Sequence, residues 1–148
     1  MVPLASGQAL GPKAAVRKAQ SILGPTVQAA MYVYPRGRMQ RTMTMSLGLI
    51  GYFLRRNVPK SSLPDLMLLS LDDTNLYLHE LAFLKQPREL GRWPRGRYGA
   101  IMAGTGWMRN LTLELDGLGT VELESPVQLA NRLNLQVLDV VVGLGQKA

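Results

Sequence analysis

Two five-residue phrases concentrate the chemistry available to this chain: Tyr34-Pro35-Arg36-Gly37-Arg38 and Trp93-Pro94-Arg95-Gly96-Arg97. Both read aromatic-Pro-Arg-Gly-Arg. A guanidinium presents a planar fork of donors that matches phosphate, and glycine lets backbone N–H groups close on an anion. Arg41 lies just past the first phrase, and Arg55-Arg56 follows an uncharged, apolar-leaning run from Met43 to Leu54. Apolar side chains dipping into lipid, with cations meeting the headgroups behind them, make an interfacial anchor. Arg36, Arg38, Arg41, Arg55 and Arg56 are therefore the candidate ligand-binding residues, for an anionic headgroup or another polyanion. The plainer readings are two basic Pro-Gly turns and a core element that ends in a basic loop.

The remaining constellations are weaker. Trp93, Trp107 and Tyr98 stand among Arg92, Arg95, Arg97 and Arg109. That interleaving suits a single-strand nucleic-acid binder, and it equally suits aromatics packed on a sheet. His79 is the single histidine, and Glu80 beside it falls on the opposite face of a strand, so His79 reads as structural rather than metal-ligating. Glu114, Glu122 and Glu124 share one face of a hairpin and read as solvated strand carboxylates. P-loop, Rossmann and G-x-S-x-G patterns are absent. No catalytic residue, metal or cofactor is expected, and the chain reads as a non-enzyme.

Composition narrows the partner. The chain has no cysteine, which excludes disulfides and thiolate chemistry and points to a reducing cytoplasm. Its formal charge is +7, unevenly spread. Residues 1 to 64 carry nine Lys and Arg and no Asp or Glu, while 65 to 148 carry eight basic and ten acidic residues, a net of 8 − 10 = −2. The acid-free half suits a protein partner or an anionic membrane surface, with nucleic acid or a place as a subunit of a larger assembly as the alternatives, unless the two halves neutralise one another in the fold. No signal peptide and no spanning segment are read, so contact with a membrane would be peripheral, at its inner face.

These residues must be positioned by the elements around them. The clearest is Leu111 to Ser125, LTLELDGLGTVELES, in which apolar and polar residues alternate on both sides of a glycine-containing turn. That pattern writes an antiparallel hairpin with one apolar and one acidic face. Pro12 to Leu23 reads as a helix, Thr26 to Tyr34 as a strand, and Met39 to Leu54 as either. Leu66–Leu71 and Leu76–Leu81 read as a hairpin around Asp72-Asp73-Thr74-Asn75. Lys85 to Gly96 reads as a polar loop, Tyr98 to Ala103 as a strand, and Ser125-Pro126 as the cap and first turn of a C-terminal helix. Residues 1–11 read as a disordered lead-in and 12–148 as a single domain.

The order of these elements, carried by LMLLSLDDTNLYLHEL (66 to 81), LGRWPRGRYGAI (90 to 101), LTLELDGLGTVELES (111 to 125) and the stretch from Pro126, resembles the pleckstrin-homology-like (PH-like) superfold, in particular small bacterial PH-like proteins. The resemblance implies an α+β fold: a two-sheet antiparallel β-barrel or sandwich closed by a C-terminal helix, here with an extra N-terminal helix. It also implies a non-catalytic binding module. PH domains that bind inositol phosphates use basic residues of the first inter-strand loop, which places Arg36, Arg38 and Arg41 in that role.

Overall fold

The computed structural model describes residues 9–37, 63–82, 84–104, 106–127 and 131–145. It is α+β, with seven antiparallel strands and two helices among those residues. Met43 to Leu54, with Arg38, Arg41, Arg55 and Arg56, lies outside the described residues, as do residues 1–8 of the expected lead-in.

Helix α1 (Lys13–Leu23) starts after Pro12, whose φ of −57° suits a helix entry, and ends at Gly24. Strand β1 (Ala29–Pro35) follows. Strands β2 (Met67–Leu71) and β3 (Asn75–Glu80) form the expected hairpin. Its turn is built by Asp72, whose Oδ1 accepts the backbone N–H groups of Thr74 at 2.9 Å and Asn75 at 2.8 Å. The Tyr77 hydroxyl donates to Asp72 Oδ2 at 2.6 Å. Burial works to raise the Asp72 carboxyl pKa, but the Tyr77 hydroxyl and the Asn75 and Thr74 donors outweigh it and hold the value below normal.

Strand β4 (Arg88–Pro94) corrects the expected polar loop over Lys85 to Gly96. Among the described residues it is an edge strand, so only one side of its backbone is paired and its charged residues stay in water. Strands β5 (Gly99–Ala103), β6 (Met108–Leu115) and β7 (Gly119–Pro126) form the expected meander. The C-terminal helix also needs correction. Ser125 and Pro126 end β7, where they pair with Arg109 and Met108, and helix α2 runs over Asn134–Gly143. Asn134, not Ser125, makes the joint: its Nδ2 donates to Pro126 O at 2.9 Å and Ser125 Oγ at 3.1 Å.

Strand order is β4-β3-β2-β1-β7-β6-β5. β1 is shared, pairing with β2 over 29 to 33 and with β7 at Tyr34 and Pro35. Residues of β1, β2, β3, β6 and β7, with Trp93 of β4 and Tyr98, meet Val137, Leu138 and Val141 of α2 in one core, and Ala100 and Met102 of β5 pack against it, so the sheet folds back on itself. A second cluster lies on the outer side of β1 and β2, where Ala15 and Ala19 of α1 pack on Ala30 and Leu68. Covering both faces of these two strands explains why AAMYVYP and MLLSL are nearly continuous apolar runs rather than alternating ones. The first residues described also pair: Leu10 N donates to Gln28 O at 2.9 Å, and Ala30 N to Leu10 O at 3.0 Å.

Candidate functional site

The two repeated phrases occupy corners of the fold and serve different ends. In the first, Gly37 takes a φ of 90°, and the turn leans on the acidic face of β7. Arg36 N donates to Glu122 O at 3.1 Å, the Arg36 guanidinium meets Glu122 Oε1 at 3.1 Å, and Gly37 N donates to Glu124 Oε2 at 3.3 Å. The Arg36 and Glu122 side chains are about half exposed, so the pair contributes at most about 1 kcal/mol. Glu124 is buried, which corrects its reading as a solvated carboxylate. At this corner one cation of the basic half, Arg36, pairs with one carboxylate of the acidic half, Glu122.

In the second phrase Gly96 takes the same left-handed conformation, at φ 78°. Arg95 points inward: one guanidinium nitrogen donates to Gln28 Oε1 and to the backbone carbonyl of Asp72. It ties the β4–β5 corner to the residues entering β1 and to the β2–β3 turn, so Arg95 is a strut rather than an anion ligand. Trp93 is buried, its Nε1 donating to Asp116 O at 2.9 Å. Tyr98 is buried too, its hydroxyl donating to Val141 O at 2.6 Å on α2, and desolvation pushes its pKa well above the ordinary value. Neither ring offers a face to a base, so the stacking role open to Trp93 and Tyr98 in the sequence falls to core packing instead.

Sequence reasoning did not find a cleft of about 950 Å³ where β5, the β6–β7 turn and the end of α2 meet. Ala100, Val142 and Gly143 line one side, and Ile101, Thr112 and Glu114 the other. Arg97, Asp116 and Gly119 stand at its rim. Glu114 accepts the Thr120 hydroxyl at 2.8 Å, a cross-strand contact of β6 with β7. Gly99 makes room for its cross-strand partner Glu114, because a Cβ there would stand 3.2 Å from the Glu114 Cβ. None of these residues forms a motif in the sequence; strand order alone assembles them.

On the outer face of β3, His79 is buried beside Tyr77 in a stacked arrangement with ring centres 6.3 Å apart. Its Nε2 lies 3.8 Å from Glu89 Oε1, and its Nδ1 finds no hydrogen-bond partner among the described residues. Desolvation holds the imidazole pKa below normal; Glu89 opposes this and Arg92 adds to it. The unfolded chain therefore takes up the proton first, and stability is lost as pH falls through about 6.5, the ordinary value. Urea unfolding between pH 7.5 and 5.5 is expected to show this loss, with a slope of at most about 1.4 kcal/mol per pH unit. His79→Gln flattens it. A wild-type profile already flat over that range would refute the assignment.

Among the described residues no group of three His, Cys, Asp or Glu is placed to hold a metal ion, and no helix is long and apolar enough to cross a membrane. Comparison of the chain with protein-family models, with curated proteins and with solved structures finds no match.

Proposed function

We propose that this chain is a non-catalytic binding module of the PH-like type, and that its partner is a protein. The PH-like reading draws support from β1 shared between a β1–β4 meander and a β5–β7 meander, followed by a C-terminal helix packed into the core. The observation that carries the binding reading is the cleft of about 950 Å³ at the open end of the sheet. In this reading the basic N-terminal half adds electrostatic attraction for acidic patches of the partner other than the segment that enters the cleft.

A second reading, an anionic membrane surface met from the cytoplasm, is favoured by one specific observation: nine cations and no acid over residues 1 to 64. Arg36 spends its charge largely on Glu122, so this attraction would fall to Arg38, Arg41, Arg55 and Arg56. Two assays on the full chain, run side by side, separate the readings. Under the protein reading a pull-down from the native cell recovers a stoichiometric partner, and phosphatidylserine vesicles do not co-sediment the chain at low salt. Sedimentation with those vesicles but not with phosphatidylcholine, reduced about tenfold in Arg38→Glu/Arg41→Glu and with no partner recovered, moves the assignment to the membrane.

A further inference from the structure

Among the described residues the sheet has two edges, β4 and β5, and they are defended very differently. β4 carries Arg88, Glu89 and Arg92, is bounded by Pro87 and Pro94, and meets β3 across an irregularity in register at Leu78 and His79. Charge, proline and bulge are the devices that keep an exposed strand from recruiting another. β5 has none of them. Gly99-Ala100-Ile101-Met102-Ala103 is uncharged and free of proline, and it pairs with β6 in unbroken register. Among the described residues no other strand pairs with it, and Ile101 is 69% exposed. The undefended edge is also the one along which the cleft runs.

We infer that β5 is a docking edge that takes an extended segment of a partner protein as an eighth strand, and that this segment alternates basic and apolar residues. The inference rests on the protein-binding reading and specifies its chemistry. Main-chain hydrogen bonds to the free side of β5 supply sequence-independent affinity, and the two walls of the cleft read alternate side chains. Side chains on one side of the incoming strand meet Ala100 and Val142, near Gly143, where only apolar groups are accommodated without loss. Those on the other side pass Thr112 and Glu114 toward Asp116. Two carboxylates against the single guanidinium of Arg97 leave negative charge on that wall, and basic side chains answer it.

The test uses the full chain, isotope-labelled for amide exchange, and a synthetic nonapeptide alternating Lys and Val. The peptide is expected to slow exchange of the amides of residues 99–103. Glu114→Gln/Asp116→Asn should weaken it about tenfold, and so should replacing its Lys by Glu. N-methylating the residues whose N–H groups face β5 should abolish binding while leaving every side chain in place. Ile101→Lys, at an exposed position that the fold does not need, should also abolish it by placing a charge on the edge. Unchanged exchange over 99–103, or equal binding of the Lys and Glu peptides, overturns the inference. Dimerisation of the chain that is lost in Ile101→Lys overturns it in favour of a second copy at this edge. A protein partner still recovered by the Ile101→Lys chain keeps the protein-binding reading and removes β5 from it.

Discussion

Trp93→Ala is expected to cost about 3–5 kcal/mol of stability, the range for truncating a fully packed aromatic. Trp93 belongs to β4, at one edge of the sheet, yet its indole reaches the turn between β6 and β7 through Nε1 and Asp116 O. It thus joins edge strand β4 to the β6–β7 turn through its side chain, where no strand pairing exists among the described residues. Its ring also lies over Gly91, where a Cβ would come within 2.6 Å of it, so the glycine leaves the room that the indole fills. Removing the ring opens a cavity and strands a carbonyl. Trp93→Phe keeps most of the apolar volume and loses the hydrogen bond, for about 1–2 kcal/mol. Urea unfolding followed by circular dichroism reads both, since Trp107, 46% exposed, would remain as the only fluorophore of its kind and reports poorly on the core. A loss below about 1 kcal/mol for the alanine variant would show that the sheet closes without this link.

Gly11→Ala is expected to be nearly as damaging, at about 2–4 kcal/mol, although Gly11 lies before the first helix. Its φ is 125°, and a Cβ there would stand 2.0 Å from the carbonyl oxygen of Ala30. That oxygen belongs to β1 backbone with α1 packed on its outer side, so neither can retreat without opening the Leu10–Ala30 pairing. The same Cβ would press on Val137 of α2 at 3.3 Å. Gly96→Ala is the matched control, because it too is left-handed but meets nothing within 4 Å; it should cost only about 1–2 kcal/mol. The comparison is made by urea midpoint, with protease protection of α1 as a second readout. Equal costs for the two variants would mean that backbone conformation, rather than the close approach, governs Gly11.

How much of this was legible depended on whether burial left a period in the sequence. The β6–β7 hairpin could be read because one face is core and the other wet, so Leu111, Leu113, Val121 and Leu123 alternate with polar neighbours. The β2–β3 hairpin could be read from the turn chemistry of Asp72 to Asn75. β4 could not, since an edge strand keeps arginine and glutamate in water and is bounded by prolines, which is also how a loop looks. The start of α2 was misplaced because Ser125-Pro126 has the residue types of a cap, whereas the ladder with β6 runs through them.

The site was less legible than the fold. Arg36 could be picked out as a surface cation, but Glu122, 86 residues away, could not be named as its partner. The two phrases that look alike in sequence part company because Arg95 has Gln28 and Asp72 within reach, whereas Arg36 faces the acidic side of β7. The cleft has no motif because its walls come from β5, β6 and α2, which only the strand order places together.

The shared strand β1 has a consequence for what the chain can carry. β2 to β4 and β5 to β7 are built from hairpin neighbours, whereas β1 reaches both of its partners across long stretches of sequence, from Val33 to Met67 and from Pro35 to Leu123. The entropy lost in closing a loop grows only logarithmically, with each doubling of length adding about 0.6 kcal/mol. Sequence separation as such therefore adds little to the cost of pairing β1 with β2 or with β7. A strand held by α1 on one face and the core on the other covers that cost from contacts made elsewhere. The number of residues between Val33 and Met67 is thus expected to matter little to the urea midpoint, because β1 is held by its two faces rather than by a short connection.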